Sequence, residues 1–300
     1  MSESQSVAAL PMLSSPQNQR VKDYVELRTD GNLRREKKRF FLEGRRGVAT
    51  ALALPHVLVH EVIFSDHILN NDLELVQQAQ DKHIPLVRVS KDVFKKIADV
   101  MTPQGIAAVV KIPEWDLDDF FSRKDALIVI ACGLQDPGNL GTLIRSCEAA
   151  GATALVTLEG TADPFNAKVV RATAAALLTL PILRLKTDEF LNEADKHHMR
   201  LVATAPGRRG SPAPSFGGDM REAKAFEVTG LRAPSTMAKF YREFDWKKRP
   251  IALCIGSEGD GLPAAIEAAC KEKVSIPMQG QVESLNAAVA ASILLFQAQE

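Results

Sequence analysis

The sequence predicts an α/β protein of two domains, a small α/β domain followed by a larger domain built on a parallel sheet. Short apolar segments rich in β-branched residues alternate with longer segments of helical periodicity along most of the 300 residues. This alternation is typical of units in which helices cover both faces of a parallel sheet. The acidic segment 113–125, PEWDLDDFFSRKD, breaks both periodicities and is therefore interpreted as the linker.

The first domain is predicted over 14–112. Its strands are predicted at 40–43, 59–65, 85–89 and 105–111. Its helices are predicted at 17–29, 31–38, 45–54, 72–82 and 91–99. Between Pro16 and Val48, ten Lys or Arg residues stand against five Asp or Glu residues. Such a basic run either holds phosphate groups or is only a solvated helix face.

The second domain is predicted over 126–300. Its strands are predicted at 126–132, 154–158, 182–185, 199–204, 251–255 and 274–277. Its helices are predicted at 140–150, 166–180, 188–197, 263–270 and 285–297, with Ser284 as the N-cap of the last. The segment 207–248 has scattered Gly and Pro and carries nine basic against five acidic residues. It is predicted to be an insertion that contacts an anionic substrate.

Composition excludes several classes of protein. A hydrophobic content of 46% and a charged content of 25% are typical of a soluble globular protein, and no apolar run approaches the ~20 residues of a membrane span. The first twenty residues lack the pattern of a secretory or transit peptide, which predicts a cytoplasmic protein. The four Cys residues have no paired spacing, so we expect reduced core thiols and no metal site.

Three polar loops follow predicted strands, at 133–141 (GLQDPGNLG), 256–261 (GSEGDG) and 278–283 (MQGQVE). Ligands of open α/β sheets bind at the carboxyl ends of the strands, so these loops predict a binding site. Taken alone, the last loop is better explained as part of a unit that only closes the sheet, and the two other loops of the same kind favour the binding site. Neither a dinucleotide-binding nor a P-loop pattern is present. All six His residues lie outside the three loops, which disfavours a His base or His metal ligands.

Three motifs carry a family resemblance. DPGNLGTLIRSCEAAGA, IALCIGSEGDGL and IPMQGQVESLNAAVAA, in this order, resemble the motifs of the SpoU/TrmH family of RNA ribose 2′-O-methyltransferases. The segments LSSPQNQRVKDYVELR, FFLEGRR and TPQGIAAVV resemble the ribosomal-protein-like RNA-binding domain of that family. The resemblance implies a deep trefoil knot in the second domain, an RNA substrate and a homodimer that uses the C-terminal helix.

The resemblance also implies the cofactor and its site. S-adenosylmethionine would be held mostly by backbone groups around Gly256, Ile276 and Leu285, with Met278 nearby. Recognition by backbone groups is consistent with glycine and other small residues at these places.

Five further residues match positions to which the family assigns a role in catalysis. Arg145 would bind an RNA phosphate and orient the ribose hydroxyl, or act as the base, and Asn139 would hold Arg145 or the ribose. An unperturbed guanidinium stays protonated, which favours the orienting role. Glu258 would orient the arginine or a neighbouring loop. Ser284 and Asn286 would fix the third loop and the substrate.

The resemblance therefore predicts an S-adenosylmethionine-dependent RNA ribose 2′-O-methyltransferase, with ribosomal RNA favoured as the substrate. A transfer RNA ribose methyltransferase, a base methyltransferase of the wider knotted superfamily and a non-catalytic RNA-binding relative remain the alternatives. The segment ADPFNAKVVRA also fits the family pattern, and its Arg171 is expected to reach RNA phosphates.

Overall fold

A computed structural model describes residues 10–68, 70–205, 238–280 and 284–300. The chain forms two compact units, each with its own sheet. The first unit comprises residues 1–115, 136–145 and 162–181, and the second comprises 116–135, 146–161 and 182–300. Two stretches of the predicted second domain therefore pack with the predicted first domain. The domain boundaries at 113 and 125 stay a prediction.

The first unit is built on a mixed five-stranded sheet. Its strands are β1 Met12–Leu13, β2 Arg39–Glu43, β3 Val59–Ser65, β4 Leu86–Val89 and β5 Ile106–Lys111, and their spatial order is β1-β4-β3-β5-β2. Strand β5 pairs antiparallel with β2 and β3, while β4 pairs parallel with β1 and β3. The four strands predicted for this domain are confirmed, and β1 is an addition. Two residues are too few for a period-2 pattern to show.

The helices of the first unit begin at polar caps. They are α1 Gln19–Thr29, α2 Gly31–Lys37, α3 Arg45–Ala53, α4 Asn70–Asp81 and α5 Lys91–Ile97. Asn18 caps α1 by accepting from the Arg20 amide at 2.9 Å, and Asp30 caps α2 by accepting from the Asn32 amide at 2.7 Å. Helices α1 and α5 pack with strand residues such as Phe41 in one apolar core.

One predicted helix of the second domain, 166–180, is wrong as a single element. The structure has α8 Ala167–Ala172 and a short 3₁₀ helix, Ala176–Leu178, both in the first unit. Ala174 and Ala175 separate them with φ angles of 50° and 77°. Alanine in this left-handed region is uncommon, and no local signal in the sequence announces it.

The second unit is built on a seven-stranded, fully parallel sheet. Its strands are β6 Leu127–Ala131, β7 Ala154–Thr157, β8 Ile182–Arg184, β9 Arg200–Ala205, β10 Lys239–Phe240, β11 Ile251–Ile255 and β12 Glu272–Ser275. Their order is β10-β12-β9-β11-β6-β7-β8. The parallel sheet predicted here is confirmed, and β11 lies between β6 and β9, both far from it in sequence.

The remaining helices are α6 Asp118–Phe121, α7 Pro137–Ala149, α9 Thr187–Lys196, α10 Ala264–Ala269 and α11 Ala287–Gln297. Helix α6 lies in the predicted linker. Strand β10 lies near the end of the segment 207–248, and the assignment of that segment as an insertion stays a prediction. Residues 206–237 lie outside the described residues. Within the described ranges, no helix combines the length and apolar character that crossing a bilayer requires.

Candidate functional site

A cavity of about 360 Å³ lies at the carboxyl ends of three neighbouring strands of the second sheet, β9, β11 and β12. Its wall includes the loops after β11 and β12 and the first turns of α11. Four lining residues are those predicted to hold the cofactor: Gly256, Ile276, Met278 and Leu285. Small-molecule sites have volumes of ~300–1,000 Å³ and favour this edge of an open sheet, so both place and size fit a ligand.

The loop after β11 is closed by its own backbone. Ser257 N donates to Gly261 O at 3.0 Å, and Gly261 N donates to Ser257 O at 3.2 Å. A Cβ atom on Gly256 would lie 2.4 Å from the carbonyl carbon of Gly261, so only glycine fits there. The turn therefore has a fixed shape, and it leaves the Glu258 side chain exposed beside the cavity.

Glu258 joins the second motif to the third. Its Oε1 accepts from Asn286 Nδ2 at 2.9 Å and from the Ala287 amide at 3.4 Å. The carboxylate thus lies at the N-terminus of α11, where the helix dipole favours negative charge. Asn286 Oδ1 accepts from the amides of Ala288 and Val289 at 3.0 and 3.2 Å. Two predicted site residues are therefore in direct contact.

Asn286, and not Ser284, is the N-cap of α11. The predicted cap is wrong because the helix begins at Ala287, two residues later than expected, and a capping side chain must accept from amides two or three positions ahead. Ser284 is exposed and lines the cavity. Within the third loop, residues 281–283 lie outside the described residues.

The apolar floor of the cavity comes from strand ends and from α11. Val274 and Ile255 belong to the strands, while Ala287, Ala290 and Leu294 belong to the helix. Alanine at the helix positions lets a ligand approach the backbone closely. Such a floor suits a planar apolar group, and the polar groups of the two loops would fix its orientation.

Asn139 and Arg145 lie on α7, within the part of that helix that belongs to the first unit. Asp136 Oδ1 accepts from the Asn139 amide at 2.8 Å. Asp136 therefore satisfies a backbone donor in the first turn of α7, and the Asn139 side chain is not needed for that purpose. A Cβ atom on Gly141 would lie 2.4 Å from Ala172 Cβ, which explains a glycine in this motif. Arg145 is exposed.

Arg34 is a residue whose importance sequence reasoning missed. It belongs to the basic run that we interpreted as a phosphate-binding or solvated face, yet it is only 2% exposed. Its guanidinium donates to Asp163 at 2.7 Å and to the carbonyl oxygens of Leu27 and Arg28 at 2.7 and 2.9 Å. Arg34 therefore neither lies on a solvated face nor is available to a phosphate, because its guanidinium is buried and paired with a carboxylate inside the protein. A run of charges gives no sign of which member is buried.

Other cations of the first unit are also paired. Arg171 pairs with Asp99, so an RNA phosphate would compete with this carboxylate for the Arg171 side chain. Arg20 pairs with Glu61. Further pairs in the described part of this unit are Lys38 with Glu114 at 2.6 Å, Arg45 with Asp72 at 3.2 Å, Lys37 with Glu36 at 3.3 Å and Arg28 with Asp99 at 3.9 Å. The basic run is therefore less available to phosphates than its count suggests.

The four cysteines are free and buried, as predicted. Burial raises the pKa of Cys132 to about 12 and holds the pKa of Cys147 well above its ordinary value. The hydrogen bond with Cys270 and burial together raise the pKa of Cys254. These three thiols therefore stay protonated at neutral pH and are poor nucleophiles.

In the described part of the chain, one group of side chains has the geometry of possible metal ligands: Asp118, Glu193 and His197. The Lys196 ammonium lies 2.9 Å from Asp118 Oδ1 and 3.2 Å from Glu193 Oε2, so the two carboxylates already hold a cation. The absence of a metal cofactor stays a prediction.

Two family models match the chain. The model of the SpoU rRNA methylase family matches residues 126–296. The model of the MRM3-like substrate binding domain matches residues 18–108.

Individual relatives match almost the whole chain. The 23S rRNA (guanosine(2553)-2′-O)-methyltransferase RlmP of Bacillus subtilis is 30% identical over 96% of this chain and 98% of its own. A structure of an AdoMet-bound rRNA methyltransferase from Sinorhizobium meliloti is 27% identical over 96% of this chain and 97% of its own, with a TM-score of 0.78. The SpoU methyltransferase AviRb from Streptomyces viridochromogenes, in complex with the cofactor AdoMet, is 27% identical over 94% and 98%, with a TM-score of 0.74.

Proposed function

This chain belongs to the SpoU rRNA methylase family, and on that premise we propose that it transfers a methyl group from S-adenosylmethionine to a ribose 2′-hydroxyl of ribosomal RNA. The observation that carries the proposal is the contact between Glu258 and Asn286 beside the cavity, because it joins two family motifs at one ligand-sized site. The relatives with AdoMet and with an rRNA substrate in their names support the cofactor and the substrate.

The residues of the cavity fit this cofactor. Val274 and Leu294 offer an apolar surface for the adenine ring, and the tight turn after Gly256 brings backbone groups to the wall. We therefore assign cofactor binding to Gly256, Ile276, Met278 and Leu285. When bound, the cofactor supplies a methyl group on a positively charged sulfur.

The chain must orient the ribose hydroxyl and handle its proton. For a methyl group to be transferred, the 2′-hydroxyl would have to be held toward the bound cofactor and its proton accepted by a neighbouring group, such as the RNA phosphate that Arg145 would hold. We assign Arg145 to bind an RNA phosphate and orient the hydroxyl, because a guanidinium keeps its proton at neutral pH. Its exposed position leaves it accessible to RNA. Asn139, two turns before Arg145 on α7, would hold the ribose.

In this proposal, the shape of the site depends on three residues, Glu258, Asn286 and Ser284. The Glu258 carboxylate holds the second loop against the N-terminus of α11, and Asn286 fixes that terminus. Ser284 lines the cavity beside them and would contact the substrate.

We further propose that 14–112 binds the RNA and 126–300 carries the methyl transfer, joined at 113–125. The match of 18–108 to a substrate-binding domain model supports the first assignment.

The trefoil knot of the second domain is likewise a proposal, and family membership supports it. A ribosomal RNA substrate and four free, buried cysteines support a cytoplasmic location.

We propose a homodimer through α11. This helix is apolar on nearly all sides, yet Val289 is 45% and Phe296 53% exposed, and an apolar helix is normally covered. We expect a dimer by sedimentation equilibrium and a monomer for Phe296→Glu, since the carboxylate would be buried without a partner. A wild-type chain that stays monomeric at high concentration removes this part of the proposal.

The proposed activity has a direct test. The purified chain is incubated with methyl-labelled S-adenosylmethionine and unmodified ribosomal or transfer RNA, and the RNA is hydrolysed with alkali. Label in alkali-resistant dinucleotides is expected, because a methylated 2′-oxygen blocks hydrolysis at that position. Label in ordinary mononucleotides would contradict ribose methylation and point to a base methyltransferase. Cofactor binding without label in any RNA would favour an RNA-binding relative.

A further inference from the structure

The first unit contains a second cavity, of about 460 Å³, to which we have so far assigned no role. It lies between α1, α2 and the strands β2, β3 and β5. Leu27 and Val109 give it an apolar floor, and most of its other lining residues are charged. We call it the charged cavity. It lies in the part of the chain that matches a substrate-binding domain.

A buried carboxylate lines the charged cavity. Glu61 lies on β3 next to the buried Val62 and is itself only 6% exposed. The pairing of β3 with β5 shifts between Val59 and Glu61, and such a bulge redirects the side chains next to it. Burying an ion costs several kcal/mol, and well-packed apolar residues would often be at least as stable, so fold stability alone does not account for Glu61.

The partner of Glu61 leaves room for a ligand. Arg20 pairs with its Oε2 atom, and the Arg20 side chain is about half exposed. A carboxylate accepts up to ~4 hydrogen bonds, so the pair does not exhaust Glu61. The Glu61 carboxylate therefore has a cationic partner on one oxygen and further acceptor positions for a ligand in the cavity.

A buried donor lies beside the carboxylate. Tyr24 is 2% exposed and lines the cavity, and its hydroxyl lies next to the ion pair of Glu61 and Arg20 without reaching good hydrogen-bond geometry to either. A ligand in the cavity would therefore meet this hydroxyl together with the Glu61 carboxylate. Burial and the nearby Glu61 carboxylate raise the pKa of the Tyr24 phenol, which therefore remains a proton donor.

Basic side chains lie around the same cavity. Lys37, Arg39 and His60 line it, the first and last of them exposed, while Asp23 and Glu26 line it from α1. Lys37 and Arg39 have the charge and reach to hold a phosphate.

We propose that the charged cavity binds one unpaired nucleotide of the RNA substrate, with Glu61 accepting N–H groups of the base and Lys37 and Arg39 contacting the phosphate. Unpaired bases are recognised in proteins by hydrogen bonds to their Watson–Crick edge and by stacking on ring faces. Guanine is the base that presents two adjacent N–H donors on that edge, and these match a carboxylate. The inference rests on the proposed function, because it names a subsite for the same RNA.

The first test uses single nucleotides and needs no activity. Guanosine, inosine and adenosine 5′-monophosphates are titrated into the full chain, and amide chemical shifts are followed by NMR. We expect guanosine monophosphate to shift residues of the charged cavity and to bind at least about tenfold more tightly than adenosine monophosphate, a difference of ~1.4 kcal/mol. Inosine monophosphate, which lacks the 2-amino group, should fall between them. Glu61→Gln should abolish the preference. Equal binding of the three, or shifts elsewhere, would overturn the proposal.

The second test uses methyl transfer and a matched pair of variants. Lys37→Ala removes a cation from the charged cavity, and Lys82→Ala removes an exposed cation at the end of α4 that does not line it. We expect Lys37→Ala to raise KM for RNA several-fold with kcat and cofactor affinity unchanged, and Lys82→Ala to change nothing. Equal KM values for both variants would refute the subsite while leaving ribose methylation standing. If the wild-type chain methylates no ribose, the proposed function fails, and the nucleotide titration still decides on the cavity.

Discussion

The two cavities of this protein are made of different chemical groups. The cavity of the second unit is formed by backbone turns, glycines, alanines and strand ends, with Glu258 at its margin. The charged cavity of the first unit is formed largely by long ionic side chains, one of them the buried Glu61. A site formed by backbone turns is rigid, so it suits a ligand whose structure does not vary. Ionic side chains suit a polyanion whose bases and phosphates must be selected.

The first unit is also stabilised by a buried charged residue, Arg34. Its removal should have the largest effect of the variants that we consider. Arg34→Ala leaves Asp163 and two carbonyl groups without their buried donor. Breaking a buried pair in this way costs about 3–5 kcal/mol of the free energy of unfolding. Urea denaturation measures the loss, and Arg35→Ala, at an exposed neighbour, should stay within ~0.5 kcal/mol of wild type. A small loss for Arg34→Ala would show that its ion pair is as weak as a surface pair.

The next largest effect separates cofactor binding from chemistry. Arg145→Ala should lower kcat about 10²–10³-fold, the usual cost of removing a group that orients or stabilises the reacting atoms. Cofactor affinity, measured by calorimetry, should stay unchanged, because Arg145 does not line the cavity of the second unit. Arg145→Lys keeps the charge but not the two-pronged geometry, so it should recover only part of the loss. Undiminished turnover in Arg145→Ala would remove this residue from the mechanism.

The cavity of the second unit was the more predictable of the two. Its residues follow strands that periodicity located, and three ordered motifs identify its loops, so all four predicted cofactor residues line one cavity. The contact of Glu258 with Asn286 joins two of these motifs. Glycine residues help to make the second motif recognisable in the sequence. Gly256, for example, has no space for a side chain, so no other residue fits there.

The sequence predicted the strands of the first unit, but it did not predict which charged residues of that unit are buried. Arg34 belongs to a basic run that looks solvated, and Glu61 is a single acidic residue in a predicted strand. The sequence does not show that both are buried, because their partners Asp163 and Arg20 lie far away along the chain. The break at Ala174 and Ala175 was hidden for a related reason, because alanine favours helices and only tertiary packing imposes the left-handed conformation. Local patterns therefore locate backbone sites better than sites made of distant side chains.

A smaller effect tests whether the second cavity is a backbone site. Gly256→Ala places a Cβ atom 2.4 Å from the Gly261 carbonyl carbon, and the turn must shift to accommodate it. Overpacking of this kind costs about 1–3 kcal/mol. We expect a loss of cofactor affinity of that size by calorimetry, with RNA binding by filter retention unchanged. Gly259→Ala, where an added Cβ meets nothing within 4 Å, is the matched control. Equal affinities for the two variants would mean that the turn does not shape the cofactor site.

The smallest effect concerns Asn286, whose two roles can be separated. Its Oδ1 atom caps α11, while its Nδ2 atom donates to Glu258. Asn286→Ala removes both and should cost about 1 kcal/mol of stability, the usual value of an N-cap. Asn286→Ser keeps a capping oxygen and should restore most of that stability, yet it cannot donate the same bond to the Glu258 carboxylate. If the contact between the two motifs matters for function, the serine variant should be stable and still show weakened methyl transfer. Wild-type turnover in Asn286→Ser would mean that the residue serves only to begin the helix.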